Sequence, residues 1–365
     1  MRFSVLSMLS VGLLLGSCTR PPSSSPQAAA TPPVATATTA TFTNPLLPSG
    51  ADPWTIYHDG YYYYTHTTGG NLTLWKTKSL TELKTAEKKV VWTPPATGPN
   101  SREIWAPELH YLQGKWYMYY SADAGTNQTH RVWVLENSSP DPLQGTWIDR
   151  GKLADPANDR WEIDGSVFEN KGKLYFIWSG WEGDTNGRQS IYLAAMRNPW
   201  TLAGSRVLVS TPTYAWERNG DLGATSNPPH VDVNEGPEVL KHDNKLFLVY
   251  SASGCWTDFY ALGMLTASAN SDLLNPASWT KTPTPVFQQS PTNKVYAPGH
   301  NSFFTSPDGK QNWILYHAND EPGQGCGRFR SPRMQPFTWH ADGTPDFGQP
   351  VPVGQELAQP SGTSK

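Results

Sequence analysis

Five short segments of the chain share one pattern of turn, aromatic and β-branched residues. Each begins with glycine or asparagine, which tolerate the positive φ of a tight hairpin turn, and continues as a run that predicts a β-strand. These turn residues are Gly60, Gly114, Gly172, Asn244 and Gly309. A shorter apolar run precedes each turn, at residues 54–58, 109–112, 166–169, 239–242 and 302–305. Each repeat therefore predicts one antiparallel hairpin.

The repeats recur at the spacing expected for propeller blades. Successive turn residues are 54, 58, 72 and 65 positions apart, and such a period accommodates about four short strands with their loops. We therefore predict an all-β fold, a five-bladed β-propeller that spans residues 43–355. A two-sheet sandwich is the alternative, and no long helical periodicity indicates an α/β fold.

The composition favours β-structure and excludes one class of partner. The 365 residues include 16 Trp, 16 Tyr, 31 Gly and 33 Pro, a combination of aromatic and turn-forming residues that is typical of all-β proteins. The formal net charge is -3 and only 16% of the residues are charged. Because the chain offers no basic face for phosphate contacts, we expect no nucleic-acid partner.

The first residues predict export rather than part of the fold. An apolar stretch, Val5 to Leu15, follows Arg2 and is too short to span a bilayer, so residues 1–17 are interpreted as a signal peptide. The segment Leu15-Gly16-Ser17-Cys18 resembles a bacterial lipobox, which implies cleavage before Cys18 and a lipid on its sulfur. An ordinary signal peptide with an incidental cysteine is the alternative.

Two further segments are predicted to lie outside the fold. Residues 18–42 are rich in Pro, Ser, Ala and Thr and predict a disordered tether, and residues 356–365 predict a short tail. The expected location is the bacterial cell envelope, at the outer membrane or cell surface, or else secretion. We expect contact with a membrane only through the N-terminal lipid.

Besides Cys18, the chain contains two cysteines, Cys255 and Cys326. Export into an oxidising compartment permits a disulfide between them. Two free buried thiols are the alternative, because the sequence does not give their distance.

Ionisable residues occupy one region of the repeat, just before each hairpin. Asp52 and Asp164 lie eight residues before their turn residues, Glu235 and His300 lie nine before theirs, and Ala106 takes this place in the second repeat. Equivalent positions on the innermost strands of a propeller converge at one mouth of its channel. Asp and Gly also favour simple turns, but the shared phase indicates a common site.

Three converging carboxyl groups have a chemical consequence. They repel one another when ionised, so at least one of them is expected to hold its proton near neutral pH. A protonated acid that faces an ionised base is the arrangement that cleaves glycosidic bonds. The pattern therefore predicts a glycoside hydrolase.

The residues around these positions form five ordered motifs. They are Ala51-Asp52-Pro53-Trp54, Trp105-Ala106-Pro107-Glu108, Ile163-Asp164-Gly165-Ser166, Asn234-Glu235-Gly236-Pro237-Glu238 and Pro298-Gly299-His300-Asn301. Over residues 44–350 this set resembles glycoside hydrolase family 43. The resemblance implies an inverting enzyme with a five-bladed propeller, in which Asp52 is the general base, Glu235 the general acid and Asp164 the auxiliary carboxylate. An inverting acid and base stand about 6.5–9.5 Å apart.

The resemblance also suggests residues that bind substrate or metal. His300 matches an axial histidine that lies near a calcium ion or its water, and a metal-free histidine bonded to the carboxylates is the alternative. Arg330 matches an arginine near the acid and the substrate, with Arg333 as the second choice. A calcium ion would be structural, because the chemistry itself requires no cofactor.

Other residues near the motifs are candidates for contact with a sugar. Trp54, Trp105 and Trp181 could stack on a sugar ring or pack in the core. Glu108 and Glu238 are interpreted as supporting groups beyond the catalytic position.

The resemblance is greatest to exo-acting α-L-arabinofuranosidases, notably at the opening Asn44-Pro45 and at Ser251-Ala252-Ser253-Gly254-Cys255. It implies removal of terminal arabinofuranose from a plant cell-wall polysaccharide (arabinan or arabinoxylan) or from an arabino-oligosaccharide. A β-xylosidase or an endo-arabinanase of the same family is the alternative. A non-catalytic carbohydrate-binding propeller is the competing class. We expect the protein to be a monomer.

Overall fold

The computed structural model describes residues 16–17, 40–155 and 157–363. The chain divides into two parts, Met1–Thr38 and Thr39–Lys365, and the fold described below is that of the second part. Nearly all of the predicted signal peptide, Cys18 and most of the predicted tether lie outside the described residues. No helix among the described residues is long and apolar enough to cross a membrane.

The described residues form an all-β fold, as predicted. Helical structure among them is limited to 3₁₀ turns of three residues each, at Leu80–Glu82, Asn127–Thr129, Ala215–Glu217, Pro276–Ser278 and Pro291–Asn293.

The strands follow the five repeats, and we name the corresponding parts of the chain the first to fifth units. Strand β1 (Thr41–Thr43) precedes them. The first unit comprises β2 (Trp54–His58), β3 (Tyr61–Thr65), β4 (Leu72–Thr77) and β5 (Glu87–Trp92). The second comprises β6 (Arg102–Leu112), β7 (Lys115–Asp123), β8 (Arg131–Asn137) and β9 (Ile148–Lys152).

The remaining units contain the other strands. The third comprises β10 (Glu162–Asn170), β11 (Lys173–Gly180), β12 (Arg188–Asn198), β13 (Thr201–Leu202) and β14 (Val207–Ser210). The fourth comprises β15 (Asp232–His242), β16 (Lys245–Ala252), β17 (Ala261–Ser268) and β18 (Thr280–Lys281). The fifth comprises β19 (Tyr296–Thr305), β20 (Asn312–Asn319), β21 (Ser331–Trp339) and β22 (Pro345–Asp346), and β23 (Glu356–Ala358) follows it.

Within each unit, consecutive strands pair antiparallel, except that β13 and β14 both pair with β12. The first, second and fifth units each form a separate four-stranded sheet, but the third and fourth units do not. A short parallel pairing of Arg188 with Asp232 and of Gln189 with Val233 joins β12 to β15, so these two units form one nine-stranded sheet.

Four of the five turn residues, Gly60, Gly114, Gly172 and Gly309, have the positive φ that the sequence predicts, whereas in the fourth turn Asp243 has it and Asn244 does not. At Asp59-Gly60, Gln113-Gly114 and Lys171-Gly172 both residues have positive φ. Two consecutive positive φ values define the type I′ turn, whose twist matches that of the flanking strands.

Apolar clusters connect each unit to the next. Four clusters lie between consecutive units, and a fifth lies between the fifth and first units, where the ring of Tyr62 meets Phe304 edge to face at 5.5 Å. The first strands β2, β6, β10, β15 and β19 also contact one another in this order, and β19 contacts β2. The polar residues just before the five hairpins are therefore brought close together.

The predicted boundaries of the folded region are wrong at both ends. Strand β1 pairs antiparallel with β23, so Thr41, Phe42 and residues 356–358 belong to the fold. Beyond β23, the Ser361 hydroxyl donates to Asp308 Oδ1 at 2.6 Å. Because of these contacts, part of the predicted tail belongs to the folded part of the chain.

Candidate active site

Each unit has a residue in the left-handed region of φ immediately before its hairpin strand pairing becomes regular. These residues are Asp52 (56°), Ala106 (42°), Asp164 (55°), Gly236 (53°) and His300 (48°), and we call them the inner residues. Strands β6 and β19 each have a second residue with positive φ three residues earlier, at Glu103 and Ala297. In the second to fifth units the inner residues begin a β-bulge, where the register with the next strand shifts. A bulge redirects a side chain, and positive φ at four residues other than glycine is a strain typical of functional sites.

The inner residue of the fourth unit is Gly236, which corrects the sequence-based alignment of the repeats. Glu235 was expected at the same structural position as Asp52 and Asp164, but it precedes the positive-φ residue by one. A glycine occupies the strained position itself, and a Cβ atom there would lie 3.2 Å from the His300 ring.

A second set of equivalent residues holds the inner residues in place. It consists of polar side chains seven residues after the hairpin turn residue, or eight in the fifth unit. Four inner residues donate their backbone N–H to this side chain of the preceding unit: Ala106 to Thr67 Oγ1 at 2.7 Å, Asp164 to Ser121 Oγ at 3.0 Å, His300 to Ser251 Oγ at 2.8 Å and Asp52 to His317 Nδ1 at 3.0 Å. The last of these bonds joins the first unit to the fifth.

The carboxyl group of Asp52 is held in its ionised form. Thr67 donates to Oδ2 at 2.6 Å, Arg330 Nη1 donates to Oδ1 at 3.1 Å, and His300 Nδ1 lies 3.2 Å from Oδ1. Burial raises the pKa of Asp52, but the charge of Arg330, the two histidines His300 and His317, and the Thr67 bond hold it well below its usual range. Burial lowers the pKa of both histidines, and among the neighbouring groups Arg330 does most to lower the pKa of Asp52.

Glu235 and Asp164 have the opposite tendency. Burial raises the pKa of Glu235 to about 7, although Tyr260 donates its hydroxyl to Oε1 at 2.8 Å. Burial, with the charges of Glu235 and Asp52, raises the pKa of Asp164 well above its usual range. Asp164 Oδ2 accepts the backbone N–H of Gly236 at 3.0 Å. It therefore fixes the backbone beside Glu235 directly.

One cavity of about 410 Å³ contains the three carboxyl groups. Asp52, Asp164 and Glu235 line it together with His300 and Arg330. The structure therefore brings together all five of these residues that the sequence nominated. A buried ionised carboxylate and a buried carboxyl group that titrates near neutral pH face one space, which suits general acid and base chemistry.

The cavity walls include three tryptophans and amide side chains. Trp105, Trp161 and Trp256 line them, and the side-chain amides of Asn186 and Gln189 add polar groups. The oxygen atoms of both amides are buried and have no hydrogen-bond partner among the described residues.

Two of the three nominated tryptophans lie elsewhere. The ring of Trp181 is buried and stacks on Trp161 at 4.7 Å. Trp54 is buried and donates its Nε1 to the Leu109 carbonyl at 2.9 Å. Neither lines the cavity, so the expectation that they contact a sugar is corrected, and only Trp105 keeps that position.

The secondary candidates have structural contacts. Arg333 is fully buried and pairs with Asp320 rather than with a catalytic carboxyl group. Glu108 pairs with His110 at 2.9 Å, and Glu238 accepts the backbone N–H of Phe303 at 3.3 Å. This agrees with a supporting role for the two glutamates.

The described residues do not assemble a cation site around His300. They contain no group of three or more His, Cys, Asp or Glu side chains that could hold a metal ion. Calcium takes six to eight oxygen ligands, whereas Nδ1 of His300 lies against Asp52. The residues present do not fit a calcium ion held directly by the protein.

Cys255 and Cys326 form a disulfide, which decides between the two alternatives that the sequence left open. Both cysteines line the cavity beside Trp256. The disulfide is therefore part of the wall of the candidate active site.

Sequence reasoning missed several residues of the site. Trp161, Trp256 and Tyr260 were not nominated, and neither was the set that includes Thr67 and His317. The last set had a visible signal, since a polar residue recurs seven or eight positions after each turn residue. Tyr260 has no such signal, because it lies in a loop outside the repeated hairpins.

The chain is similar to known proteins in both sequence and structure. The sequence profile described as "Glycosyl hydrolases family 43" matches residues 42–345. The chain is 40% identical over 322 residues to an extracellular exo-α-(1→5)-L-arabinofuranosidase of Streptomyces avermitilis, covering 86% of this chain and 64% of that protein. It is also 40% identical over 284 residues to an extracellular exo-α-(1→5)-L-arabinofuranosidase of Streptomyces chartreusis, and this match covers 76% of this chain and 83% of that protein.

A solved structure is also similar. The crystal structure of an α-L-arabinofuranosidase from Lactobacillus brevis superposes with a TM-score of 0.78 and is 38% identical. The match covers 86% of this chain and 98% of that one.

Proposed function

Because the chain belongs to glycosyl hydrolases family 43, as its motifs predicted, we propose that it is an inverting glycoside hydrolase that removes terminal α-L-arabinofuranosyl residues from arabinan or arabinoxylan. One observation supports this proposal above all others. Asp52, whose pKa is lowered, and Glu235, whose pKa is raised to about 7, line the same cavity.

Asp52 is the general base of the proposed reaction. Its carboxylate is ionised and fixed by Arg330 and Thr67, so it can accept a proton from a water molecule. That water attacks the anomeric carbon from the face opposite to the leaving group, which inverts the configuration.

Glu235 is the general acid. A carboxyl group with a pKa of about 7 retains its proton over much of the neutral range and can transfer it to the departing glycosidic oxygen. Asp164 positions Glu235 through the bond to the Gly236 N–H, and its own buried carboxyl group contributes to the local electrostatics. The chemistry proceeds without a cofactor.

Two features of the cavity support a sugar substrate. The rings of Trp105, Trp161 and Trp256 offer apolar faces for the C–H groups of a sugar. The unpartnered amide oxygens of Asn186 and Gln189 suit hydroxyl donors, because buried polar groups normally have a hydrogen-bond partner.

The specificity for arabinofuranose is supported by the relatives. The two Streptomyces proteins are named exo-α-(1→5)-L-arabinofuranosidases, and the Lactobacillus brevis structure is titled an α-L-arabinofuranosidase. The chain spans 64% of the Streptomyces avermitilis protein. The substrate is accordingly a plant cell-wall polysaccharide or an arabino-oligosaccharide that contains arabinose.

The proposed architecture is a five-bladed β-propeller, with each unit as one blade. Contacts of β19 with β2, the apolar cluster between the fifth and first units, and the Asp52 to His317 bond all support closure of the ring. The parallel pairing of β12 with β15 then links two neighbouring blades.

We also propose that the protein is exported as a lipid-anchored monomer. The Streptomyces relatives are named extracellular, which supports export. Cleavage before Cys18 and its lipidation fall outside the described residues and stay predictions, as does the monomeric state. A calcium ion held through water beside His300 also stays a prediction and has no part in the proposed reaction.

The test is hydrolysis of two substrates side by side, 4-nitrophenyl α-L-arabinofuranoside and 4-nitrophenyl β-D-xyloside. The proposal expects preferential release from the arabinofuranoside, and loss of turnover on arabino-oligosaccharides in the Glu235→Gln variant. Predominant release from the xyloside would indicate a β-xylosidase, and internal cleavage of linear arabinan an endo-arabinanase. Binding without release from any substrate would indicate a carbohydrate-binding protein and would refute the proposed activity.

A further inference from the structure

The Cys255–Cys326 disulfide lies in the cavity wall and joins two units. Cys255 belongs to the loop 253–260 between β16 and β17 of the fourth unit, and Cys326 belongs to the loop 320–330 between β20 and β21 of the fifth. Both cysteines are half-buried and line the cavity. A disulfide in this position is accessible to a small reductant.

Each of these loops carries a residue that is bonded to a catalytic carboxyl group. Five residues after Cys255, Tyr260 donates to Glu235 Oε1 at 2.8 Å. Four residues after Cys326, Arg330 donates to Asp52 Oδ1 at 3.1 Å. The disulfide therefore connects the segment that contacts the acid to the segment that contacts the base.

The loops have few other links to each other. Among the described residues, the side-chain hydrogen bond between them runs from the Gly323 N–H to Asp258 Oδ1 at 2.8 Å and is exposed. The strands that flank the loops, in contrast, are held by regular pairing of β16 with β17 and of β20 with β21. Loss of the disulfide would release the loops before it released the sheets.

We propose that the Cys255–Cys326 disulfide is a positioning element of the active site, which fixes Tyr260 and Arg330 against Glu235 and Asp52 and makes activity sensitive to reduction. This inference rests on the proposed hydrolytic function. In the reductive step, the S–S bond breaks and both cysteines become thiols, while a dithiol supplies two electrons and two protons and itself becomes a disulfide.

The test compares oxidised and dithiothreitol-reduced protein in a full chain that carries Cys18→Ser, so that each free thiol reports on Cys255 or Cys326. The double variant Cys255→Ser/Cys326→Ser is measured alongside. We expect at least a tenfold decrease in kcat/KM for 4-nitrophenyl α-L-arabinofuranoside on reduction, with both limbs of the pH profile moved to higher pH. The acidic limb moves because Asp52 loses Arg330, and the alkaline limb because Glu235 loses the Tyr260 hydroxyl.

Three controls keep the inference falsifiable. Reoxidation should restore the parent profile but leave the double variant unchanged. Asp258→Ala removes the exposed hydrogen bond, retains the disulfide and should keep the parent profile. Circular dichroism should show that reduced protein keeps its sheets. A reduced protein with the parent kcat/KM and pH profile, or one that loses activity only by unfolding, would overturn the inference.

Hydrogen exchange gives a readout that does not depend on turnover. Reduction should raise exchange in residues 253–260 and 320–330 and leave β15 and β19 unchanged. If the oxidised protein cleaves no substrate, the proposed function fails, but the exchange of the two loops still decides the inference. Unchanged exchange in both loops would contradict it.

Discussion

Replacing Tyr260 by phenylalanine removes one hydroxyl group that donates to Glu235 Oε1 at 2.8 Å. That bond stabilises the ionised form of Glu235 and opposes the effect of burial, which raises the pKa of Glu235 to about 7. A hydrogen bond to a charged group contributes about 1.5–3 kcal/mol, and about 1.4 kcal/mol corresponds to one pKa unit. The pKa of Glu235 should therefore rise by roughly 1–2 units in the variant, with the lower value if water takes the place of the hydroxyl.

The assay is the pH dependence of kcat/KM, whose limbs report the essential acid and base of the free enzyme. Since the acid must be protonated, the alkaline limb should move to higher pH while the acidic limb stays in place. Tyr250→Phe is the matched control, because Tyr250 is also buried and donates to a buried glutamate, Glu217, at 2.9 Å outside the cavity. An alkaline limb in Tyr260→Phe that does not move, or moves to lower pH, would refute the reasoning.

Three further predictions concern the same site. Arg330→Leu should move the acidic limb to higher pH, because burial then raises the pKa of Asp52 with less opposition; an unmoved acidic limb would count against Arg330 as the group that does most to lower the pKa of Asp52. Burial raises the pKa of Glu235 from 4.5 to about 7, so the folded protein binds this proton more tightly than the unfolded chain does. The resulting contribution to the free energy of unfolding is fully present below pH 4.5 and is lost as the pH rises through 7. Glu235→Gln avoids this loss and should be more stable than the parent at pH 8 by about 3 kcal/mol at most, with no such gain at pH 4; an equal difference in denaturant unfolding at both pH values would contradict this. In Gly299→Ala the new Cβ would lie 2.2 Å from the Tyr260 ring, so kcat/KM should fall at least tenfold, whereas Gly204→Ala, with no atom within 4 Å, should match the parent; equal kinetics in the two variants would contradict the packing argument.

The hairpins and most of the site were predictable because both depend on local, repeated signals. Asp52 and Asp164 stand eight residues before type I′ turns that contain glycine, so counting along the sequence located them correctly. His300 stands nine before Gly309 because the fifth turn is longer, spanning residues 306–311 between paired Thr305 and Asn312.

The same counting failed for Glu235, for a physical reason. The fourth hairpin closes with a short turn, His242 pairing with Lys245, so the inner position lies eight residues before Asn244, at Gly236. Because glycine has no ionisable side chain, a count of ionisable residues selects the neighbouring Glu235 instead of Gly236. The strained backbone, and not the side chain, is the feature that all five units share.

Other parts of the site depend on contacts that no local pattern encodes. Tyr260 donates to Glu235 from a loop. Trp161 lines the cavity, whereas Trp181, which stacks on it, does not. The pairing of β1 with β23 likewise joins segments at opposite ends of the fold, each only three residues long and therefore too short to predict a strand from its hydrophobic pattern. Packing of distant segments decides such features.

The most direct test of the central claim is the configuration of the first sugar released from 4-nitrophenyl α-L-arabinofuranoside, followed by proton NMR before mutarotation. An ionised Asp52 that activates water, opposite a protonated Glu235, predicts that β-L-arabinofuranose appears first. Initial release of the α-anomer would mean that a carboxylate attacks the sugar directly, and it would contradict the roles assigned to Asp52 and Glu235.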